Sequence, residues 1–234
     1  MNRTDIEYGT LTWNPVSGCL PTLPCYSFCW ARRMSLRLKG RFGYDQENPF
    51  QPTLHFDHLE EPLKRKKPAR ILVVYMGDLF TDHWNGAVWD RVFDVIERAH
   101  WHTFILLTKR PGTMVHYWRS RGGFPSNCWP GVSVTCDDDL HRLYTLREMI
   151  HPIKWVSFEP LLSDVANGWM MPAHLRAMQW VVIGCQTGPG APEGRLDWVK
   201  NLVFDCEALK VPVFLKDNAP WQGERPREFP IKGR

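Results

Sequence analysis

Thr103-Phe-Ile-Leu-Leu-Thr108, followed at once by Lys109-Arg110, is the stretch on which the fold turns. Its centre is apolar without alternation, so a strand made from it must be covered on both faces. A short helical segment follows to about Arg121. The pattern recurs along the chain. Residues 71–76 form an apolar run ending in Gly77-Asp78, then apolar positions at Trp89, Val92, Phe93 and Ile96 keep helical spacing. Residues 131–135 end in Cys136-Asp137, before Leu140, Leu143, Leu146 and Ile150. Residues 154–158 end in Glu159-Pro160. Residues 180–183 end in Gly184-Cys185-Gln186-Thr187-Gly188, with a helix from about Asp197 to Leu209 after them. Residues 211–215 end in Lys216-Asp217. A first, β-prone strand is read over residues 8–13.

Strands and helices alternating in this way predict an α/β protein with a parallel sheet and outer helices, a partial (β/α)6–7 barrel of one domain, residues 1–234, whose residues 217–234 form a C-terminal tail. In such barrels the C-terminal strand ends build the site. Here they carry Asp78, Lys109, Thr135, Glu159, Gln186 and Lys216.

The first strand feeds a different kind of segment, Cys19-Leu-Pro-Thr-Leu-Pro-Cys25-Tyr-Ser-Phe-Cys29, a loop after strand one within residues 13–30. Pro15, Gly18, Pro21 and Pro24 bar a regular helix or strand. Three thiols close together suit a soft metal centre, iron–sulfur or zinc. The reading taken is that Cys19, Cys25 and Cys29 hold three irons of a four-iron, four-sulfur cluster and leave the fourth iron to a small molecule. A structural zinc wants a fourth ligand at short spacing, and the first histidines are His55 and His58. A zinc with a distant fourth ligand, or plain burial of the thiols, is the alternative. Seven cysteines in 234 residues do not make a disulfide framework.

A helix is read from Trp30 to Lys39, ended by Gly40, and Arg32, Arg33, Arg37, Lys39 and Arg41 make it basic. A solvated face is one account of that charge and a phosphate-facing surface the other. The run Lys64-Arg-Lys-Lys67 reads as solvated, and His55 and His58 as surface residues. Cys128 and Cys206 read as structural, and Cys136 and Cys185 as buried. Hydrophobic residues make up 44% and charged ones 23%, which asks for no long disordered region. No signal-peptide pattern opens the chain, and no run is long and apolar enough for a membrane span, so a cytoplasmic protein is expected, in a host cell if phage-encoded. The net charge of +4 permits a nucleic-acid partner without demanding one.

A three-cysteine loop leaving strand one of a partial barrel resembles the radical S-adenosylmethionine (SAM) superfamily, with Phe28 matching the aromatic before the third cysteine. The spacing here is Cys-x5-Cys-x3-Cys rather than the superfamily's Cys-x3-Cys-x2-Cys, and a loop a few residues longer costs little extra to close. Thr-Trp-Asn-Pro-Val-Ser-Gly-Cys19, Gly77-Asp-Leu-Phe80, Leu107-Thr-Lys-Arg-Pro111, Phe158-Glu-Pro-Leu-Leu162, Gly184-Cys-Gln-Thr-Gly-Pro-Gly190 and Phe214-Leu-Lys-Asp217 resemble, more closely, the phage and prophage three-cysteine-motif proteins.

The resemblance implies that the open iron chelates SAM and that a reductant such as flavodoxin or ferredoxin supplies an electron. It places Gly77 and Asp78 at the SAM amino group, Ser133, Thr135 and Glu159 at its ribose or carboxylate, and Gln186 and Gly188 at the adenine. Lys109, Arg110 and Lys216 are candidate cations for a substrate carboxylate or phosphate. The implied substrate is a modified nucleotide in DNA, the reaction an isomerase or mutase type with lyase chemistry as the variant. A non-catalytic iron–sulfur or zinc protein that binds DNA or a protein is the second class. A metal-dependent hydrolase is the third, and it lacks the strand-end histidines such a site needs.

Overall fold

The computed structural model describes residues 1–22, 27–168 and 170–230. The fold is α/β, with a mostly parallel sheet of eight strands and flanking helices, consistent with a partial barrel. Ten strands occur among the described residues: β1 (Asn2–Arg3), β2 (Leu11–Trp13), β3 (Val16–Ser17), β4 (Thr53–Leu54), β5 (Arg70–Val73), β6 (Thr103–Thr108), β7 (Cys128–Val134), β8 (Trp155–Phe158), β9 (Trp180–Ile183) and β10 (Val213–Leu215). The sheet order is β1-β2-β5-β6-β7-β8-β9-β10, and β3 and β4 pair separately. From β2 onward the order in space is the order in sequence, as βα repeats produce when each crossover has the same hand. Contacts cluster into two compact units, Met1–Trp129 and Pro130–Arg234.

In the first unit the helices are α1 (Trp30–Leu38), α2 (Glu61–Lys64), α3 (Gly86–Arg98) and α4 (Pro111–Arg121). β2 runs parallel to β5 with Leu11 opposite Ile71, and β5 parallel to β6 with Ile71 opposite Phe104. β1 joins the edge antiparallel, a strand that the sequence pattern did not signal. β5 is shorter than the apolar run 71–76 suggested, because Val74 adopts φ +57° and turns the chain out of the sheet. That left-handed geometry is costly for a β-branched residue. Tyr75 therefore belongs to the turn, its hydroxyl 3.2 Å from that of Tyr8. In α3 the Asn85 side chain accepts from the Ala87 amide, and Trp89, Val92, Phe93 and Ile96 bury one stripe. Trp13 is fully buried and donates its indole N–H to the His58 carbonyl at 2.7 Å.

The second unit holds α5 (His141–Arg147), α6 (Met171–Leu175) and α7 (Leu196–Ala208). β7, β8, β9 and β10 pair in parallel, with Gly131 opposite Trp155, Trp155 opposite Trp180 and Val181 opposite Val213. Trp155 and Trp180 are fully buried, their rings 5.0 Å apart. Beyond β10 the chain returns. Leu215 and Glu228 donate their amides to Pro226 and Val213, so this part of the expected tail covers an otherwise open sheet edge. Residues 231–234 lie outside the described ones. Among the described residues no helix is long and apolar enough to cross a membrane.

Candidate functional site

The entry to the cysteine loop is fastened residue by residue. The Trp13 carbonyl accepts from Val74 N (2.9 Å), Asn14 Oδ1 from Met76 N (3.1 Å), and Gly18 N donates to Met76 O (2.9 Å). Cys19 N donates to Phe50 O at 3.2 Å. At Leu20 both backbone groups are gripped: its N–H by Thr81 Oγ1 (3.1 Å) and its carbonyl by Arg110 Nη2 (2.6 Å). The second guanidinium nitrogen of Arg110 bonds Asp82. Gly18 and Gly77 touch backbone to backbone, and a Cβ on Gly77 would fall 2.2 Å from the Gly18 oxygen. Gly77 thus fixes how close the loop comes to the end of β5.

Cys19 is half-buried, and its thiol is pushed up to about 12, by burial first and then by the Asp78 carboxylate. Arg110, a hydrogen bond with Thr81 and Lys109 oppose that shift. A metal ion bound there has to displace the thiol proton. Cys29 is the N-cap of α1, its sulfur accepting from Arg32 N at 3.5 Å, at a helix end that favours negative charge. Cys25 lies outside the described residues. Among the described residues no group of three His, Cys, Asp or Glu gathers to hold a metal ion.

Asp78 is buried and heavily engaged. Its oxygens accept from Phe80 N (3.0 Å), Thr108 Oγ1 (2.7 and 3.0 Å) and Lys109 N (3.0 Å). Each carboxylate oxygen thus has two contacts, with Thr108 shared between them. Arg110, read from sequence as a rim cation for substrate, instead braces the loop at Leu20. Its Nε is buried and has no partner among the described residues, and neither has Thr22 Oγ1 two residues further along the loop. His55, expected at the surface, is half-buried with Nε2 2.7 Å from Ser17 Oγ, and burial lowers its pKa.

In the second unit Thr135 is held by Asp139, whose carboxylate accepts from the Thr135 amide (2.9 Å) and hydroxyl (2.7 Å). Asp139 also pairs with Arg142, both buried, and Arg142 Nη1 donates to the Ser133 carbonyl at 2.7 Å. Ser133 Oγ donates to the Glu159 carbonyl at 3.3 Å. Glu159 forms an ion pair with Lys216. Asn218 clasps Cys185, accepting from its amide and donating to its carbonyl at 2.7 Å. Gln186 is half-buried and Gly188 exposed. Cys185, Cys128 and Cys206 are buried as expected, whereas Cys136 is half-exposed.

Thr81, Thr108, Asp139 and Arg142 were missed from sequence. Thr108 stands inside the quoted Leu-Thr-Lys-Arg-Pro motif. The three-residue spacing of Asp139 and Arg142 was the only local signal for their pair.

A mostly parallel α/β sheet whose first unit pins a cysteine-bearing loop to its strand ends is the class of protein that fold and site define. A family model described as "Protein of unknown function (DUF5131)" matches residues 3–231, and the chain belongs to that family. No curated protein and no solved structure matches it.

Proposed function

We propose that the chain is a radical SAM enzyme. Cys19, Cys25 and Cys29 would hold a four-iron, four-sulfur cluster whose remaining iron takes SAM. When bound and reduced, that pair supplies a 5′-deoxyadenosyl radical. The observation that carries the reading is the double grip on Leu20 together with the unpartnered Nε of Arg110. The grip fixes the peptide next to Cys19, and a buried N–H without an acceptor suits a bound group rich in anionic sulfur. The soft thiol donors and adjacent cations fit such a group.

The chain's own residues then have distinct tasks. Thr81 and Arg110 hold the loop backbone, and Gly77 lets it approach. Asp78 ties the ends of β5 and β6, and its negative charge would favour the SAM ammonium. In the second unit Ser133 and Thr135 are committed to the Glu159 carbonyl and Asp139. Glu159, Lys216 and Gln186 are therefore the side chains there with polar groups to offer a ligand. The resemblance, rather than any contact, suggests the reaction: isomerisation or other modification of a hypermodified nucleobase in DNA, such as moving an amino-acid adduct of thymine from nitrogen to carbon attachment, with flavodoxin or ferredoxin as electron source.

Anaerobic purification tests the reading. About four irons and four sulfides per chain are expected, with 5′-deoxyadenosine released from SAM under dithionite. Cys19→Ser, Cys25→Ser and Cys29→Ser should each lose the iron. A colourless protein carrying one zinc would overturn the proposal.

A further inference from the structure

Two acid-free stretches of this chain carry five cations each: residues 62–77, with the Lys64–Lys67 run and Arg70, and a longer one around α1 that also exposes apolar groups. Residues 8–44 contain five cations, Arg32, Arg33, Arg37, Lys39 and Arg41, and no Asp or Glu. The chain's net charge is +4, so everything outside that segment sums to −1. Arg33, Arg37, Lys39 and Arg41 are exposed, on α1 and the loop after it. Large apolar side chains are exposed among them: Trp30 at 51%, Leu36 at 49% and Phe42 at 72%. Along α1 the exposed arc runs Trp30, Arg37, Arg33, Leu36, so the two cations lie side by side between two apolar groups. A helix lying on a membrane would segregate them into opposite faces.

Phe42 stands on a built platform. The Gly40 amide donates to the Tyr44 carbonyl and the Tyr44 amide to the Arg41 carbonyl, both at 2.9 Å. Gly40 and Gly43 take φ +68° and +81°, and Phe42 between them takes +53°. Gly43 lies so close to His55 that a Cβ there would sit 2.8 Å from its Nδ1. The Tyr44 and His55 rings stand 6.0 Å apart. A bulky residue in the left-handed region costs on the order of 1 kcal/mol or more. Here that cost holds an aromatic ring in solvent, where burial returns nothing.

We infer that α1 and the Gly40–Tyr44 loop form a binding surface for single-stranded nucleic acid, with Arg33, Arg37, Lys39 and Arg41 on the phosphates and the Phe42 ring stacked on a base. Arginine suits phosphate geometry, and an exposed aromatic needs a base face, which a duplex keeps stacked. The inference rests on the reading above only for what happens to the base; binding needs neither SAM nor reductant.

The test is fluorescence anisotropy of the full chain, purified anaerobically, with labelled 12-nucleotide DNA, RNA and duplex probes between 50 and 200 mM NaCl. Single strands should bind tighter than duplex. Arg33→Gln with Arg37→Gln should weaken binding at least tenfold and flatten the salt slope by about 1.4, roughly 0.7 for each lost phosphate contact. Phe42→Gly should weaken binding roughly fivefold or more with the slope unchanged. Its melting temperature should hold or rise, since glycine accepts that φ freely. Failure to bind any single strand at 50 mM NaCl, unchanged affinity in the variants, equal binding of duplex, or capture by phosphatidylserine vesicles instead of oligonucleotides would each overturn the inference. A protein that cleaves SAM yet ignores oligonucleotides would sink this inference alone. One that binds them without holding iron would sink the radical SAM reading instead.

Discussion

The strand ends of the two units are both polar, but they spend their polarity differently. In the first unit the side chains reach for backbone: Thr81 and Arg110 for Leu20, Asn14 for Met76, Asp78 for Phe80 and Lys109. They act on a proline-broken segment that has no ladder of its own to hold it. In the second unit the charges mostly pair with one another, Asp139 with Arg142 and Glu159 with Lys216. The first arrangement builds a cradle, and its cost is repaid by holding a loop in place. The second is closer to a self-satisfied network, with the Glu159–Lys216 pair only half-buried and the Asp139–Arg142 pair fully so.

If that contrast is right, the second unit should be the more sensitive to removing a single charge. Arg142→Met leaves the Asp139 carboxylate buried without its guanidinium, which costs about 3–5 kcal/mol when a buried pair is broken. Urea unfolding measures it. Replacing both, Asp139→Leu with Arg142→Met, should cost less than the single Arg142→Met change, because no uncompensated charge remains. A double variant as unstable as the sum of the singles would mean that Asp139 matters through its grip on Thr135 rather than through the pair.

The first unit should be sensitive to backbone spacing instead. Gly77→Ala drives a Cβ against the Gly18 carbonyl, where rigid backbone must move, and about 1–3 kcal/mol is expected. Gly184→Ala at the end of β9 meets Asn218 Oδ1, Glu159 Cδ and Lys216 Cδ, each at 3.1 Å, all on side chains able to give. Less than about 1 kcal/mol is expected there, within the ordinary range of mild substitutions. Equal losses at the two glycines would break the distinction between cradle and network.

How much of this was legible in the sequence follows from range. The βα repeat is local, since each apolar run and each helical stripe is complete within about fifteen residues, and β6 and β9 stand where their runs predicted. The end of β5 was misread because nothing in Val-Val-Tyr-Met announces a valine at φ +57°. The cysteine loop announced itself through its prolines. Its fastening did not, because Leu20 and Arg110 are 90 residues apart and Asp78 and Thr108 are 30 apart. Arg110 and Asp78 stand out in the sequence as polar strand-end residues, but residue type alone does not say whether such a group faces a ligand or a neighbouring carbonyl. The tie between Asp139 and Thr135 lay hidden in a run of three aspartates, where nothing local marks which one turns inward.

The smallest effect concerns acid, and it probes each unit through one buried histidine. His102 in the first unit donates from Nε2 to the Pro62 and Arg65 carbonyls at 3.1 and 3.0 Å, while its Nδ1 is buried without a partner among the described residues. Burial, the largest cause, holds its pKa below the ordinary value despite those two carbonyls. His174 in the second unit is lowered likewise, by burial and then by Arg147. Each therefore holds a proton less tightly when folded than in the unfolded chain, which takes it up near pH 6.5. Their contribution is complete above about pH 6.5 and is lost as the pH falls from there toward the folded values. His102→Gln keeps a donor for the two carbonyls and removes the titration. The fall in urea midpoint between pH 7.5 and 5.5 should become shallower, and the same should hold for His174→Gln. If only one variant flattens the profile, acid loosens one unit before the other. If neither does, the histidines are not what makes the fold sensitive to acid.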